Sequence, residues 1–275
     1  MQDSTIGFIG GGNMATSLIG GLITDGCPAD QLWVAEPEAQ RREDLSSRFG
    51  IHTCSENLAL VHTVDVLVLA VKPQRMHEVC SEIAAAVQGS KPLIISVAAG
   101  LRVEALDRWL GGNNAIVRAM PNTPALVQSG ATALYANPLV NEARHGLAES
   151  IMRAVGLTLW LQDEALMDTV TAVSGSGPAY FFLMMEMLEH SAIQLGMEPH
   201  NARLLALQTA FGAAKMALES EQDAATLRAQ VTSPGGTTER AITLLEEGGV
   251  HELFQQAITG ARDRARELAD QLGEQ

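Results

Sequence analysis

The sequence predicts an α/β fold in two parts, a doubly wound parallel sheet followed by an all-α domain. Short apolar runs alternate with helical patterns as far as about Gln162, as expected when parallel strands are joined by crossover helices. Beyond Gln162 only helical patterns follow. We therefore expect one domain over residues 1–162 and a helical domain over residues 163–275.

A glycine cluster follows the first apolar run, and a helical pattern begins directly after it. Gly10, Gly12 and Ala15 fit the dinucleotide fingerprint G-x-G-x-x-G/A. Gly10 allows a tight turn, Gly12 lets a pyrophosphate approach the backbone, and Ala15 lets the helix pack on the strand. The helix N-terminus offers free N–H groups to the phosphates. The Gly10 loop (residues 10–12) therefore predicts a dinucleotide cofactor, with an ordinary βα turn as the alternative.

The other elements of the first domain are bounded by turn residues. The near-continuous apolar run 64–71 is typical of a central parallel strand, and it ends at Lys72 because the following proline disfavours a helix there. The other strands are predicted over 32–35, 51–53, 92–97, 115–120, 132–135 and 157–161. Helices are predicted over 15–23, 39–49, 56–61, 76–87, 103–110 and 142–155.

Glu36 follows the second strand, about twenty residues after the glycines. An acidic residue at this place commonly accepts a hydrogen bond from the ribose 2′-hydroxyl and favours NAD(H). Arg41 and Arg42 come just downstream, within reach of a 2′-phosphate, although a solvated helix face is their more common position. The residues themselves leave the choice between NADH and NADPH open.

Helical patterns fill the second domain. Two of them, 178–195 and 202–218, are apolar almost all round, which is typical of deeply buried helices. A domain of about 110 residues has little interior for both, so we expect a subunit interface to cover them. Between two later helices lies the Thr232 loop (residues 232–238), whose N–H groups and hydroxyls suit a small carboxylate. A capped, solvated loop is the alternative.

Composition excludes several classes of protein. The net charge of −14 argues against a nucleic-acid partner or an anionic membrane surface. The most apolar long stretch, 180–197, contains Glu186, Glu189 and His190 and is not expected to span a membrane. The three cysteines form no CxxC motif, so we expect reduced thiols in a cytoplasmic protein. The scattered histidines predict no metal site.

The motifs of both halves resemble those of the pyrroline-5-carboxylate reductase family over essentially the whole chain. They are FIGGGNM at 8–14, AVKP at 70–73, RAMPNTP at 118–124, SGSGPAY at 174–180 and, above all, TSPGGTT at 232–238. The resemblance implies a Rossmann domain and a helical dimerisation domain. It also implies reduction of Δ1-pyrroline-5-carboxylate to L-proline by NADPH or NADH, the last step of proline biosynthesis. Homodimers of the family often gather into a decamer.

The resemblance also implies which residues form the site. The pyrophosphate is expected at Gly10, Gly12, Asn13 and Met14. The ribose and nicotinamide are expected at Ala70, Lys72, Pro73, Ala98 and Gly100. Asn57 is expected near the adenosine. The substrate is expected at Ser233, Gly236, Thr237 and Thr238, with the partner subunit as their source, and Thr238 is the catalytic candidate because its hydroxyl would hydrogen-bond the ring nitrogen.

Two departures from the family pattern bear on this assignment. Glu36 stands where many NADPH-preferring members have a small hydroxyl or a basic residue. Thr237 replaces an alanine that is common in relatives. Glu36 therefore leaves the cofactor preference open, whereas the change at Thr237 is expected to be tolerated because Thr238 keeps its place.

Two other functions stay open on the residues. A 3-hydroxyacid dehydrogenase of the 6-phosphogluconate type carries a catalytic lysine one turn into the helix after a glycine-rich loop, but the pattern 178–195 contains no lysine. A non-catalytic NADPH-binding regulator would need the Gly10 loop alone, and the Thr232 loop would then have no purpose.

Overall fold

Eight strands form a sheet in the computed structural model, which describes residues 4–273. The strands are β1 (Ile6–Ile9), β2 (Leu32–Ala35), β3 (His52–Cys54), β4 (Val66–Leu69), β5 (Leu93–Ser96), β6 (Ile116–Met120), β7 (Gly130–Ala136) and β8 (Gly156–Trp160). They lie in the order β3-β2-β1-β4-β5-β6-β7-β8. The order reverses between β1 and β4, and ligands of doubly wound sheets bind at such a point.

The sheet is mostly parallel, which confirms the predicted class and corrects one detail. Strands β1 to β6 pair in parallel, but β7 runs antiparallel to β6, and β8 is parallel to β7. The connection from β6 to β7, residues 121–129, holds only a 3₁₀ turn at Thr123–Val127. A parallel return needs a crossover of a dozen residues or more, so this short connection brings β7 back antiparallel.

Helices cover both faces of the sheet. In this part of the chain they are α1 (Asn13–Thr24), α2 (Ala39–Phe49), α3 (Asn57–Val61), α4 (Met76–Ser90), α5 (Val103–Trp109), α6 (Glu142–Arg153) and α7 (Leu166–Val170). Helices α1 and α6 pack in one apolar cluster on one face, and α3, α4 and α5 pack in another on the opposite face. Because β1, β4 and β5 are buried along their whole length, their apolar runs fit the centre of the sheet.

The remaining chain is helical. A π-helical turn, Thr171–Gly175, precedes α8 (Gly177–Gln194), α9 (Pro199–Glu219), α10 (Ala224–Gln230), α11 (Thr237–Glu247) and α12 (Val250–Gly273). The chain forms two compact units: unit 1 runs to Ser176 and includes the residues from Ala261 onward, and unit 2 is Gly177–Gly260. The boundary predicted at Gln162 concerns folding domains and stays a prediction.

Helices α8 and α9, which are apolar almost all round, are not buried within the described chain. They pack against each other, yet Phe181, Phe182, Leu205 and Phe211 are each more than half exposed. Unit 2 is too small to supply a second layer. The expectation that a subunit interface covers α8 and α9 therefore still applies. Among residues 4–273, no helix combines the length and the apolarity required to cross a membrane.

Candidate active site

The Gly10 loop joins β1 to α1. Gly10 has φ +95°, and a Cβ there would lie 2.9 Å from the Ala70 carbonyl oxygen, so the position requires glycine. Gly12 has an ordinary extended backbone (φ −72°, ψ −175°), and a Cβ there would meet none of the described atoms within 4 Å. Gly10 is thus fixed by the fold, whereas the backbone at Gly12 faces open space.

The N-terminus of α1 presents amides that have no helical partner. The first bond of the helix runs from the Thr16 amide to the Gly12 carbonyl at 2.9 Å, so the amides of Asn13, Met14 and Ala15 precede it. Within residues 4–273 no side chain caps this end. Free amides at the positive end of a helix dipole suit a pyrophosphate.

A cleft of about 380 Å³ opens beside the Gly10 loop, at the carboxyl ends of β1, β2 and β4. It lies at the point where the strand order reverses, the expected position for a dinucleotide. The predicted residues that line it are Gly10, Gly12, Glu36, Asn57, Ala70 and Lys72. Arg41 and Arg75 also line it. Arg75 is the last residue of the 3₁₀ turn that Pro73 begins, and its sequence position carries no signal for a ligand.

Glu36 is buried, with 5% of its surface exposed, and its carboxylate turns toward the Gly10 loop. Its Oε2 accepts the Gly11 N–H at 2.9 Å, and its Oε1 accepts the Glu38 N–H at 3.1 Å. The Glu36 amide donates to the Cys54 carbonyl at 3.0 Å. Glu36 therefore lies where a ribose contact is expected, and it already braces the glycine loop against the end of β2.

The two arginines after Glu36 differ in their contacts. Arg42 donates to the carbonyl oxygens of Glu36 and Pro37 at 2.7 and 2.8 Å, so it shapes the turn after β2. Arg41 is half exposed at the cleft, where its guanidinium lies 3.7 Å from Glu36 Oε2 and 3.1 Å from Glu38 Oε2. Neither arginine is therefore purely solvated, although a position on a helix face is typical of solvated side chains.

The other predicted cofactor residues differ in their surroundings. Asn57 donates through Nδ2 to Glu82 Oε2 at 2.9 Å. Pro73 begins a 3₁₀ turn beside the cleft, and Ala98 is buried just after β5. Gly100 has φ +72° and faces α12, with its nearest neighbours 3.7–3.9 Å from the site of a Cβ. Contact of these residues with a cofactor stays a prediction.

The Thr232 loop in unit 2 uses two of its own amides. Gly235 has φ +73°, and its N–H donates to Glu239 Oε2 at 2.7 Å. The Gly236 N–H donates to the Ser233 carbonyl at 3.0 Å. Glu239 is not among the residues predicted for the site, although an acidic residue at the third helical position is a known capping signal. These two amides are thus not free to bind a ligand.

Free amides remain at the start of α11. The first helical bond runs from the Arg240 amide to the Gly236 carbonyl at 3.2 Å, so the amides of Thr237 and Thr238 precede it. Gly236 is the N-cap, and within the described chain no side chain caps the helix. The predicted substrate residues therefore share one loop and one helix start, where amides and hydroxyls lie side by side.

The cysteines do not offer a thiolate. All three are unpaired. Burial raises the pKa of the Cys80 thiol to about 12, and burial also raises the pKa of Cys27 and of Cys54. A thiol must ionise to act as a nucleophile, so sulfur chemistry is not supported at these positions. Across residues 4–273, no group of three His, Cys, Asp or Glu is arranged to hold a metal ion.

A buried charge cluster in unit 1 was missed by sequence reasoning. Arg118 stands in β6 and is 1% exposed. It donates to Glu164 Oε1 at 3.0 Å, and its second nitrogen lies 3.9 Å from Asp168 Oδ1. Glu164 also accepts the Val103 N–H at 2.8 Å. The cluster joins β6, the start of α5 and the segment around α7, and an arginine inside an apolar strand was its sequence signal.

Fold and cleft together define an α/β protein that binds a dinucleotide. The model of a family described as "NADP oxidoreductase coenzyme F420-dependent" matches residues 5–100. The model of a family described as "Pyrroline-5-carboxylate reductase dimerisation" matches residues 164–268.

Similarity to known proteins extends over the full length of the chain. The chain is 48% identical to pyrroline-5-carboxylate reductase of Pseudomonas aeruginosa, over 100% of both chains. It is similar to the solved reductase of Coxiella burnetii, with a TM-score of 0.93, 47% identity and coverage of 97% of this chain and 98% of the other. It is also similar to Plasmodium falciparum pyrroline carboxylate reductase with NADP bound, with a TM-score of 0.87, 29% identity and coverage of 98% and 99%. The chain therefore belongs to the pyrroline-5-carboxylate reductase family and is an NAD(P)-dependent oxidoreductase.

Proposed function

We propose that this chain reduces Δ1-pyrroline-5-carboxylate to L-proline by hydride transfer from NADPH, with NADH as a second cofactor, as the last step of proline biosynthesis. One observation carries the proposal: a single chain combines the Gly10 loop beside a cleft at the switch point with the Thr232 loop at the start of α11. The full-length similarity to pyrroline-5-carboxylate reductases supports it.

The cofactor supplies the hydride, and the protein supplies binding and orientation. The substrate is a cyclic imine, and protonation at nitrogen makes its ring carbon strongly electrophilic. The transfer therefore needs no enzyme nucleophile. The free amides of Asn13 and Met14 hold the pyrophosphate, and the open backbone at Gly12 lets it approach. Most of the rate then comes from proximity and orientation of the reacting carbons.

The Thr232 loop binds the substrate in this proposal. The Gly235 and Gly236 amides already donate to Glu239 and to Ser233, so the amides of Thr237 and Thr238 anchor the carboxylate. The Thr238 hydroxyl hydrogen-bonds the ring nitrogen. An unperturbed hydroxyl is a poor acid, so positioning of the ring is its main role.

The charge of the cleft supports NADPH as the preferred cofactor. The described residues that line it include three cations, Lys72, Arg75 and Arg41, and one carboxylate, Glu36. Two of the cations also have a carboxylate partner outside the cleft lining, Glu38 for Arg41 and Glu78 for Arg75. A 2′-phosphate adds negative charge to the cofactor, and nearby cations stabilise it. NADH remains usable because Glu36 lies where an acidic residue accepts from a ribose hydroxyl.

We further propose a homodimer formed by the helices of unit 2, with dimers that gather into a decamer. The match to a dimerisation family and the exposed apolar side chains of α8 and α9 support the dimer. The cytosol is the proposed compartment, because unpaired cysteines suit a reducing environment.

The test is oxidation of NADPH and of NADH, with and without pyrroline-5-carboxylate, in the wild type and in Thr238→Ala. We expect substrate-dependent oxidation with NADPH as the better cofactor. Thr238→Ala is expected to lower kcat far more than it weakens cofactor binding. Thr237→Ala is the matched comparison, since it removes the neighbouring hydroxyl and keeps the backbone amide that anchors the carboxylate.

Two outcomes would contradict the proposal. Oxidation with neither cofactor, despite measurable NADPH binding, would favour the non-catalytic regulator. An unchanged kcat in Thr238→Ala would remove Thr238 from the site.

A further inference from the structure

An acidic residue follows the strand β2 at the cofactor cleft, although several cations line the same cleft. Both carboxylate oxygens of Glu36 already accept amide hydrogens, one from Gly11 and one from Glu38. With only 5% of its surface exposed, Glu36 cannot turn away when a cofactor binds. A 2′-phosphate that enters beside β2 must therefore be compensated by another side chain.

Among the described cations near the cleft, Arg41 has the most suitable position. Arg42 is held by the two carbonyls of the turn after β2. Arg75 donates two hydrogen bonds to the Glu78 carboxylate, from Nε at 2.6 Å and from Nη2 at 3.1 Å, and both Arg75 and Lys72 follow β4 rather than β2. Arg41 lies in the first turn of α2, directly after the end of β2, where the adenosine ribose of such cofactors lies.

The contacts of Arg41 leave it free to move. Its side chain is 48% exposed, and its closer partner, Glu38, is 57% exposed. Exposed ion pairs of this kind are weak. A phosphate offers a guanidinium two charge-assisted hydrogen bonds in a fixed geometry, which is a stronger partner than an exposed carboxylate.

We propose that Arg41 is the specificity-determining residue of the cofactor site. Its guanidinium leaves Glu38, binds the 2′-phosphate of NADPH and stays between that phosphate and Glu36. Glu36 then serves both cofactors: it braces the Gly10 loop with either one and accepts the 2′-hydroxyl of NADH. The inference rests on the proposed use of NADPH and explains how an acidic strand end accepts a phosphorylated ribose.

Direct binding tests the inference, with dissociation constants for NADPH and NADH measured by calorimetry on the full chain. Loss of a hydrogen-bonded charged partner is expected to weaken NADPH binding of Arg41→Ala by about 10- to 100-fold. NADH binding changes by less than about threefold, because the lost partner faces only the phosphate. Arg41→Lys retains part of the NADPH affinity, since it keeps the charge and loses the bidentate geometry.

A second variant tests the movement itself. Glu38→Gln removes the partner that competes for Arg41 and is expected to tighten NADPH binding by about two- to fivefold, without effect on NADH. The control is Arg48→Ala, a residue of the same helix whose guanidinium lies over the Phe49 ring, 4.7 Å from its centroid. It leaves both constants unchanged.

Equal weakening of NADPH and NADH in Arg41→Ala, or no weakening of either, would overturn the inference. Retained NADH binding shows that the variant is folded. Failure of the proposed function is separate, since it would show as absence of substrate-dependent oxidation in the wild type while cofactor binding remains measurable.

Discussion

The Glu239 carboxylate is the contact that orders the Thr232 loop. It accepts the N–H of Gly235, which has a left-handed backbone, and so it closes the loop just before α11 begins. The Glu239 side chain is exposed, and it affects substrate binding without direct contact with the ligand. The Glu239 carboxylate orders the loop, and the loop in turn positions the free amides of Thr237 and Thr238.

Glu239→Ala is expected to raise KM for pyrroline-5-carboxylate about fivefold with a smaller change in kcat, because a hydrogen bond of about 1 kcal/mol that orders the loop is lost. Glu239→Gln keeps an acceptor oxygen and is expected to keep the wild-type KM. Steady-state kinetics with saturating NADPH measure both. If the glutamine variant were as impaired as the alanine variant, the carboxylate charge and not the hydrogen bond would matter.

The two outer glycines of the Gly10 loop are expected to respond differently to alanine. Gly12→Ala leaves the unfolding temperature unchanged, because its Cβ meets no described atom within 4 Å, and weakens NADPH binding at least about tenfold by blocking the phosphate. Gly10→Ala weakens binding and also costs about 1–2 kcal/mol of stability through its left-handed backbone. Thermal unfolding and calorimetry separate the two. Unchanged NADPH affinity in Gly12→Ala would place the pyrophosphate elsewhere.

At the scale of elements, the Arg118 cluster fastens the segment around α7 to the sheet. Glu164 and Asp168 precede the π-helical turn that leads into α8, and Arg102 lies 3.6 Å from Asp168 and 3.3 Å from Asp270 near the end of α12. The cluster thus holds both stretches of unit 1 that continue into unit 2. One nitrogen of Arg118 and Asp168 Oδ1 are buried without a hydrogen bond among the described residues. Because these charges are buried, removal of one partner would leave the other poorly compensated.

Arg118→Met is expected to lower the free energy of unfolding of unit 1 by about 3 kcal/mol, because it removes the hydrogen-bonded cation of Glu164 and one of the two arginines beside the buried Asp168 carboxylate. All three tryptophans lie in unit 1, so their fluorescence in a urea titration reports on this unit. Arg153→Met is the control, since its ion pair is on the surface. A loss below 1 kcal/mol in Arg118→Met would show that the cluster does not stabilise the unit.

The elements that could be predicted from the sequence are those whose structure is determined by a local pattern. The apolar runs of β1 and β4 and the Gly10 loop carry their structure in a few neighbouring residues. The direction of β7 has no local signature, because period-two patterns are the same in both directions; the short connection 121–129 was the usable clue. The inward carboxylate of Glu36 and the partners of Arg118 depend on contacts between distant segments, which no local pattern encodes.

On the scale of the whole molecule, unit 2 exposes more apolar surface than is usual for a monomeric protein. An apolar groove of about 460 Å³ lies between α8, α11 and α12, lined by side chains such as Leu183, Met187 and Phe254. Large apolar surfaces of this kind mark protein interfaces. The net charge of −14 opposes non-specific association, but it does not cover these apolar side chains.

Leu183→Glu is expected to shift the chain from dimer to monomer, because it places a charge in this groove. Gln194→Glu, at the end of the same helix, adds the same charge outside the groove and is the control. Sedimentation velocity measures both. A Leu183→Glu protein that remained dimeric at micromolar concentration would move the interface to another face of unit 2.

Isotope transfer tests the central claim most directly. The wild-type chain is incubated with pyrroline-5-carboxylate and NADPH that carries deuterium at either the pro-R or the pro-S position of the nicotinamide C4. We expect proline with one deuterium at ring carbon 5 from one of the two labelled cofactors and unlabelled proline from the other. No proline, or proline without deuterium from both cofactors, would contradict direct hydride transfer to the imine.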